Sequence, residues 1–390
     1  MKNNISYPGR RVVLCVFLLI PLVMISAQTF GSESCTQAEK RLLQDMEDHF
    51  LHDHALIEAA CILSGVTDPD SIQHYLDWYS TLLKTIEAFH FDPMDRIGSA
   101  NKVFNYLHGT WLQKYQLEAT TLTDIKNVKK FNCVSATVLF NLICEDLGWP
   151  TEAFETPSHV YTIFPNFTEP FRIENTSPIG FNIMKNLQAY SRYLAQFYPE
   201  NQVLHIGLDR LYLYENSKGR LISNTELLGL LAYNRAYFAL KQSQYLKAGD
   251  LVRLARRFNY DSRSNIAFEI GLYSQWSRFL FEKKQYNKAF QVLSEAVLRY
   301  PDEQAFSVNC RSAFQNALRA CWIKKNWPAT RYLLNSMLDL DILSEQDFDH
   351  LIDRLAEWEH YLNTQQRMQE SKEAALYIKR LYTIIPAPQM

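Results

Sequence analysis

The chain has 390 residues, room for two or three domains, and its 47% hydrophobic and 21% charged residues are those of an ordinary globular protein. Its 40 basic and 42 acidic residues leave a formal net charge of −2, which excludes the broad basic footprint of a nucleic-acid binder. Seven cysteines with no CxxC spacing are too sparse for a disulfide scaffold and argue against structural zinc.

Residues 1–30 are expected to be a targeting segment outside the fold. Lys2, Arg10 and Arg11 form a positive end, and Val12 to Ala27 is a run of 16 residues without a charge. A membrane span takes about 20 apolar residues, so a cleaved signal peptide fits better than a permanent anchor. Ser26-Ala27 supplies small residues near a cleavage point, and Cys15 lacks the neighbours of a lipoprotein site. The expected destination is the periplasm or the extracellular space, with membrane contact only through this segment if it is uncleaved. In a eukaryotic secretory setting, Asn166-Phe167-Thr168 becomes a glycosylation candidate. Export permits disulfides, and Cys35 with Cys61 is the first pair to test; Cys310 and Cys321 are expected on one helix face, unpaired.

From Cys35 to about Lys130 the pattern is helical. Thr36 and Glu39 form a capping box, followed by Leu42, Leu43, Met46 and Phe50 at helical steps. His49 and His52, three apart and beside His54 and Asp53, could share a helix face as a metal pair, although a solvated polar face is the plainer reading. No metal or cofactor is expected. A second helix runs from Pro69 to near Phe89 with Tyr75, Trp78, Leu82 and Leu83 inward. A third starts at Asp92-Pro93 and carries Val103, Phe104, Tyr106 and Leu107 toward Trp111 and Tyr115. This block is expected to wall one side of a cleft.

The stretch from Phe131 to Gly148 reads as a helix with Cys133 in its first turn. Val138, Leu139, Leu142, Ile143 and Leu147 make one apolar face, Gly148 provides a left-handed cap, and Pro150 forbids continuation. Unpaired N–H groups and the macrodipole at such a helix start favour an anion, and a thiolate is a nucleophile. A base follows soon: His159 leads into Val160-Tyr161-Thr162-Ile163-Phe164, a run of strand formers. After a turn marked by Pro165, Asn166 and Pro170, the strand Phe171-Arg172-Ile173-Glu174-Asn175-Thr176 completes a hairpin. His159 then lies across from Glu174 or Asn175, one of which can orient the imidazole as in a catalytic triad.

In that order the residues resemble the transglutaminase-like branch of the papain-related cysteine enzymes. The resemblance covers about Asn101 to Phe181 and rests on Asn132-Cys133 with its small Ser- and Ala-bearing turn, the Leu-Gly helix end, Pro157-Ser158-His159-Val160, and Glu174-Asn175-Thr176. It implies Cys133 as nucleophile, His159 as general base and acid, and Glu174 as the orienting carboxylate. The family usually carries Asp at that third position, and the extra methylene of Glu bears on whether it reaches the ring. Asn175 is the rival, and because neighbouring strand residues face opposite sides only one of the two can serve. The backbone N–H of Cys133 is the candidate oxyanion donor, with the Asn132 side chain a weaker one.

Residues 185–222 are expected to be a connecting segment packing on this core, in which Val203 to Tyr214 could be strands or short helices. Beyond it come internal repeats. Lys241 to Ala248, Lys283 to Ala289 and Lys324 to Thr330 are similar strings, and from Ala248 to Ala289 and on to Thr330 the step is 41 residues each time. The middle unit resembles a tetratricopeptide repeat, with Tyr273, Trp276 and Leu280 on its first helix, Ala289, Leu293 and Ala296 on its second, and Pro301 as a stop. The resemblance implies a period of about 34 residues, so each unit here is longer. A last unit is placed at Glu373-Ala374-Ala375 to Pro386, and the first is degenerate because Arg235 stands where an apolar residue is usual. Such arrays bind peptides or proteins.

The expected fold is therefore α+β in the N-terminal part, a helical block plus a small antiparallel sheet over residues 31–184, and all-α repeats over 223–390. The expected function is an exported cysteine hydrolase acting on an amide of a peptide or protein substrate, with a protein partner at the repeats. The alternative is a catalytically inactive adaptor that uses the repeats alone.

Overall fold

The computed structural model describes residues 35–166 and 170–384. The leader at 1–30, the Phe167-Thr168 part of the glycosylation candidate and the Pro386 stop lie outside the described residues. Among the described residues no helix is long and apolar enough to cross a membrane.

The first block holds α1 (Gln37–Asp45), α2 (Leu56–Leu63), α3 (Pro69–Glu87) and α4 (Arg96–Thr110). The Thr36–Glu39 capping box opens α1 as expected. Helix α1 stops before the histidines, and His49 adopts φ 70°, so His49 and His52 share no helix face. Asp45 organises that loop instead, accepting the backbone N–H groups of His52, Asp53 and His54 and the His54 ring at 2.8–3.0 Å. Among the described residues no cluster of His, Cys, Asp or Glu could hold a metal. Helix α4 begins at Arg96 rather than at Pro93, because Asp95 caps it by accepting the Gly98 N–H at 2.7 Å. Cys35 and Cys61 are both free. Cys61 is sealed against Val66 and Tyr75, whereas Cys35 is near Asp250 and Glu39, so the pair put first for testing is not bonded.

A short β1 (Lys114–Tyr115) pairs in parallel with β2 (Lys130–Phe131) around α5 (Leu122–Val128), and β2 runs directly into α6 (Cys133–Asp146). Gly148 follows at φ 71°, the left-handed cap its position requires. Helix α6 was expected to bury one face; every residue from Cys133 to Cys144 is buried. Its apolar side meets the first block, while Thr137 and Asn141 find hydrogen-bond partners across the sheet. Each fully buried Leu or Ile here contributes about 1.5–3 kcal/mol.

The sheet contains β3 (Glu152–Glu155), β4 (Val160–Phe164), β5 (Phe171–Ile173) and β6 (Arg220–Ile222), all antiparallel in the order β5-β4-β3-β6. Strand β4 is buried on both sides. Val160 and Phe164 join the main core with α6, while Tyr161 and Ile163 join a separate cluster with Met184, Tyr190, Leu194 and Leu211. That second layer is built by α7 (Gly180–Ile183), α8 (Leu187–Ala195), α9 (Glu200–Ile206) and α10 (Leu211–Asn216). The segment expected as a connection is thus short helices covering the outer sheet face, ending in a strand of the sheet.

Four helix pairs follow: α11 (Asn224–Lys241) with α12 (Tyr245–Phe258), α13 (Arg263–Glu282) with α14 (Tyr286–Arg299), α15 (Gln304–Ile323) with α16 (Trp327–Leu338), and α17 (Glu345–Thr364) with α18 (Met368–Ile384). The middle residue of each three-residue joint has positive φ: Ser243, Lys284, Lys325 and Gln366, again at steps of 41. After each, an N–H reaches back to the preceding helix: Gln244 to Ala239, Gln285 to Leu280, Asn326 to Cys321 and Arg367 to Leu362, at 2.8–3.0 Å. This is one helix-stop motif repeated four times, made without glycine. Ala248, Ala289 and Thr330 are all buried at the helix contacts. The same step carries the fourth unit to buried Ser371, not to Ala374 as the spacing to Pro386 suggested. Arg235 is explained by its neighbours. Helix α11 docks on α2, and the guanidinium donates to the Leu63 carbonyl at 2.6 Å, the negative end of that helix.

Candidate active site

Helix α6 starts with a polar cap that holds Cys133 in place. Asn132 Oδ1 accepts the N–H groups of Val134 and Ser135 at 3.0 and 3.1 Å, and Ser135 Oγ accepts the Asn132 N–H at 3.0 Å. Asn132 Nδ2 donates to the Leu117 carbonyl and Ser135 Oγ to that of Ala119, tying the cap to the loop before α5. The Asn132 Oδ1 is therefore committed to capping, while its NH2 group gives one hydrogen to Leu117. Among the described residues the Cys133 backbone N–H makes no hydrogen bond, so it keeps its donor free.

His159 ends the turn between β3 and β4, and Glu174 directly follows β5. The hairpin register, Thr162 opposite Ile173 and Phe164 opposite Phe171, brings them together. His159 Nε2 lies 2.6 Å from Glu174 Oε2. The other ring nitrogen, Nδ1, is left without this partner, and Cys133 is close enough to the ring to help raise the imidazole. The longer side chain at position 174 spans the gap without loss of contact.

The Glu174 carboxylate is fully buried and well supplied with donors. Besides the imidazole, Oε2 accepts from Tyr190 at 3.3 Å, and Oε1 accepts the Thr176 N–H at 3.0 Å and the Thr176 hydroxyl. The backbone beyond it is pinned by contact as well. The Glu174 N–H donates to the Gly180 carbonyl, and a Cβ on Gly180 would fall 1.7 Å from the Glu174 carbonyl oxygen. Asn175 points to the opposite face, where it donates to Thr162 at 2.7 Å and Thr137 at 3.2 Å, so the choice between the two falls to Glu174.

Burial alone disfavours charge on both partners. At His159, the facing Glu174 carboxylate and the Cys133 sulfur outweigh burial and hold the imidazole well above its ordinary value. At Glu174, the facing imidazole and the Thr176 hydrogen bonds outweigh burial and hold the carboxyl below its ordinary value. The pair is stable as imidazolium and carboxylate.

Aromatic rings close the surroundings. Phe197 stacks on the His159 ring at 6.1 Å and 18°, Tyr193 packs on Phe197 at 5.4 Å, and Tyr115 packs between Phe131 and Phe197 at 5.9 Å from each. Burial raises the Tyr115 hydroxyl, helped by the negative charge of Glu174, which keeps it protonated. Cys133 is left 9% exposed and the His159 side chain 7%, a nearly sealed site. Tyr190, Tyr193 and Phe197 come from the segment expected to be a connection. The aromatic spacing of 190, 193 and 197 on a helical pattern is the signal that marks them.

A thiol, an imidazole and a carboxylate in series can carry out nucleophilic attack on a carbonyl with proton transfer through the ring. Compared with known proteins, the chain matches no family model, no curated protein and no solved structure.

Proposed function

We propose that the chain is a transglutaminase-like cysteine hydrolase that cleaves an amide bond in a peptide or protein. The observation that carries the proposal is the series Cys133 thiol, His159 ring and Glu174 carboxylate, with 2.6 Å between the last two. In this reading the imidazolium at His159 already carries on Nδ1 the proton that left the Cys133 thiol, and the sulfur bonds to the amide carbon. The oxygen of the tetrahedral intermediate faces the free Cys133 N–H at the start of α6. The imidazolium returns the proton to the leaving amine, the C–N bond breaks and a thioester remains. Water, deprotonated by the same ring, then releases the acid and regenerates the thiol. Glu174 keeps the ring oriented and stabilises its charge throughout. Hydrolysis is preferred to acyl transfer because the nearly closed site offers room for water more readily than for a second substrate.

Export by the N-terminal segment and a tetratricopeptide-like identity for the helix pairs complete the proposal. The test is turnover of peptide and peptidoglycan-like amides by the full chain and by Cys133→Ala. The variant is expected to lose all turnover and keep its melting temperature; retained turnover removes the proposal.

A second reading, the non-catalytic adaptor, is favoured by one observation. An open cleft of about 470 Å³ lies between α15, α16 and α17, floored by Phe314, Leu334, Leu351 and Trp358 and rimmed by Arg319 and Glu357. A mixed apolar and charged cleft suits a protein segment. In this reading Cys133→Ala retains full biological activity, while Leu351→Glu abolishes it.

A further inference from the structure

We infer that Glu215 is a positioning residue for His159, acting through the turn Thr156–His159 that carries the imidazole. The inference rests on the proposed reading of Cys133 and His159 as nucleophile and base.

Glu215 lies on α10, 3% exposed. Its Oε1 accepts the Thr156 hydroxyl and, at 2.7 Å, the Ser158 hydroxyl. The Thr156 oxygen in turn accepts the His159 backbone N–H at 3.0 Å, and the Thr156 N–H donates to the His159 carbonyl at 2.8 Å. The first and last residues of the turn are thus bonded to each other, and the carboxylate grips the two hydroxyls within it. The next residue, Asn216, accepts the Tyr161 hydroxyl at 2.6 Å, so consecutive residues of α10 hold both the turn and the strand behind it. Among the described residues the partners of Glu215 are hydroxyls, not a cation. A buried carboxylate is an expensive means of holding an ordinary hairpin turn. It is intelligible when the last residue of that turn must meet a sulfur on one side and a carboxylate on the other.

The experiment measures alkylation of Cys133 by iodoacetamide in the full-length chain at neutral pH, quantified by peptide mass spectrometry. The variants are Glu215→Ala, Glu215→Gln, Thr156→Val and, as reference, His159→Gln. A displaced ring no longer takes the thiol proton, so Glu215→Ala is expected to slow alkylation about tenfold to a hundredfold, in line with the effect of misplacement by about 1 Å. Glu215→Gln keeps the accepting oxygen and is expected to restore most of the rate, and Thr156→Val to match Glu215→Ala. Cys144 and Cys310, both fully buried, report any loss of fold by becoming reactive, and if Glu215→Ala unfolds, Thr156→Val decides. Wild-type rates in Glu215→Ala or Thr156→Val while His159→Gln is slow overturn the role of Glu215 and leave the site reading intact. So does a Glu215→Gln rate as slow as that of Glu215→Ala. A wild-type rate in His159→Gln overturns the reading of the site itself.

Discussion

Replacing Glu174 by Gln changes little in shape and removes one buried charge. The wild-type carboxylate accepts four hydrogen bonds: from the His159 ring, from Tyr190, and from the Thr176 N–H and hydroxyl. A carboxamide has one accepting oxygen, so its NH2 must face two of those donors, and the imidazolium loses its counter-charge. Breaking a buried pair in this way costs about 3–5 kcal/mol. The pH dependence identifies the cause. The lowered carboxyl adds stability that is present above its ordinary value of 4.5 and lost as pH falls through its folded value. The raised imidazole adds stability that is full below its ordinary value of 6.5 and lost as pH rises through its folded value. The difference between wild type and Glu174→Gln is therefore expected to peak between pH 4.5 and 6.5 and to shrink toward alkaline pH. Urea unfolding followed by circular dichroism at a series of pH values measures it. A difference that stays constant across that series, or a Gln variant as stable as the wild type, refutes the charged-pair reasoning.

Phe197→Ala removes the ring stacked on His159 and is expected to raise the alkylation rate of Cys133 severalfold while leaving Cys144 and Cys310 protected; an unchanged Cys133 rate means that Phe197 does not limit access. Arg235→Met keeps the length of the buried stem but leaves the Leu63 carbonyl without its donor, an expected loss of about 1–3 kcal/mol read as a lower urea midpoint. No change in midpoint there removes the account of why the first helix pair departs from the others.

Much of the candidate site was legible because its signals are local. The start of α6 is marked by Asn132, its end by Gly148, and β4 by five strand formers in a row. The hairpin then makes His159 and the residues near 174 neighbours. The 41-residue step was legible for a similar reason, since the left-handed joints at Ser243, Lys284 and Lys325 recur with the strings that flank them. What stayed hidden depends on contacts between distant positions. Nothing near Glu215 in the chain announces Thr156 and Ser158, 59 and 57 residues away. The burial of α6 on all sides was hidden too, because Thr137 and Asn141 look solvated until Asn175 and Thr162 are placed against them. The pairing of Cys35 with Cys61 failed because sequence spacing carries no information about which wall of the core each thiol joins.

One chain of hydrogen bonds, buried as far as Asn224, ties the candidate site to the first helix pair. Asn175 donates to Thr162 at 2.7 Å, Thr162 to Asn141 at 2.5 Å, Asn141 to Asn224 at 2.8 Å and Asn224 to Glu145 at 2.9 Å. Asn175 adjoins Glu174, so anchoring Asn175 inward fixes the roll of the chain that turns Glu174 toward His159. Asn224 is the first residue of α11, and the apolar core is continuous from Leu42 through α6 and α11 to Leu272, with a second cluster beginning at Tyr273. Separation at the sequence boundary near residue 223 would strip one wall from α6 and leave the buried Asn141 side chain short of a partner, at about 1–3 kcal/mol. The change from one packing unit to the next falls instead within α13, between Leu272 and Tyr273, where the core divides. The first helix pair belongs physically to the body that holds Cys133, and the array grows outward from it.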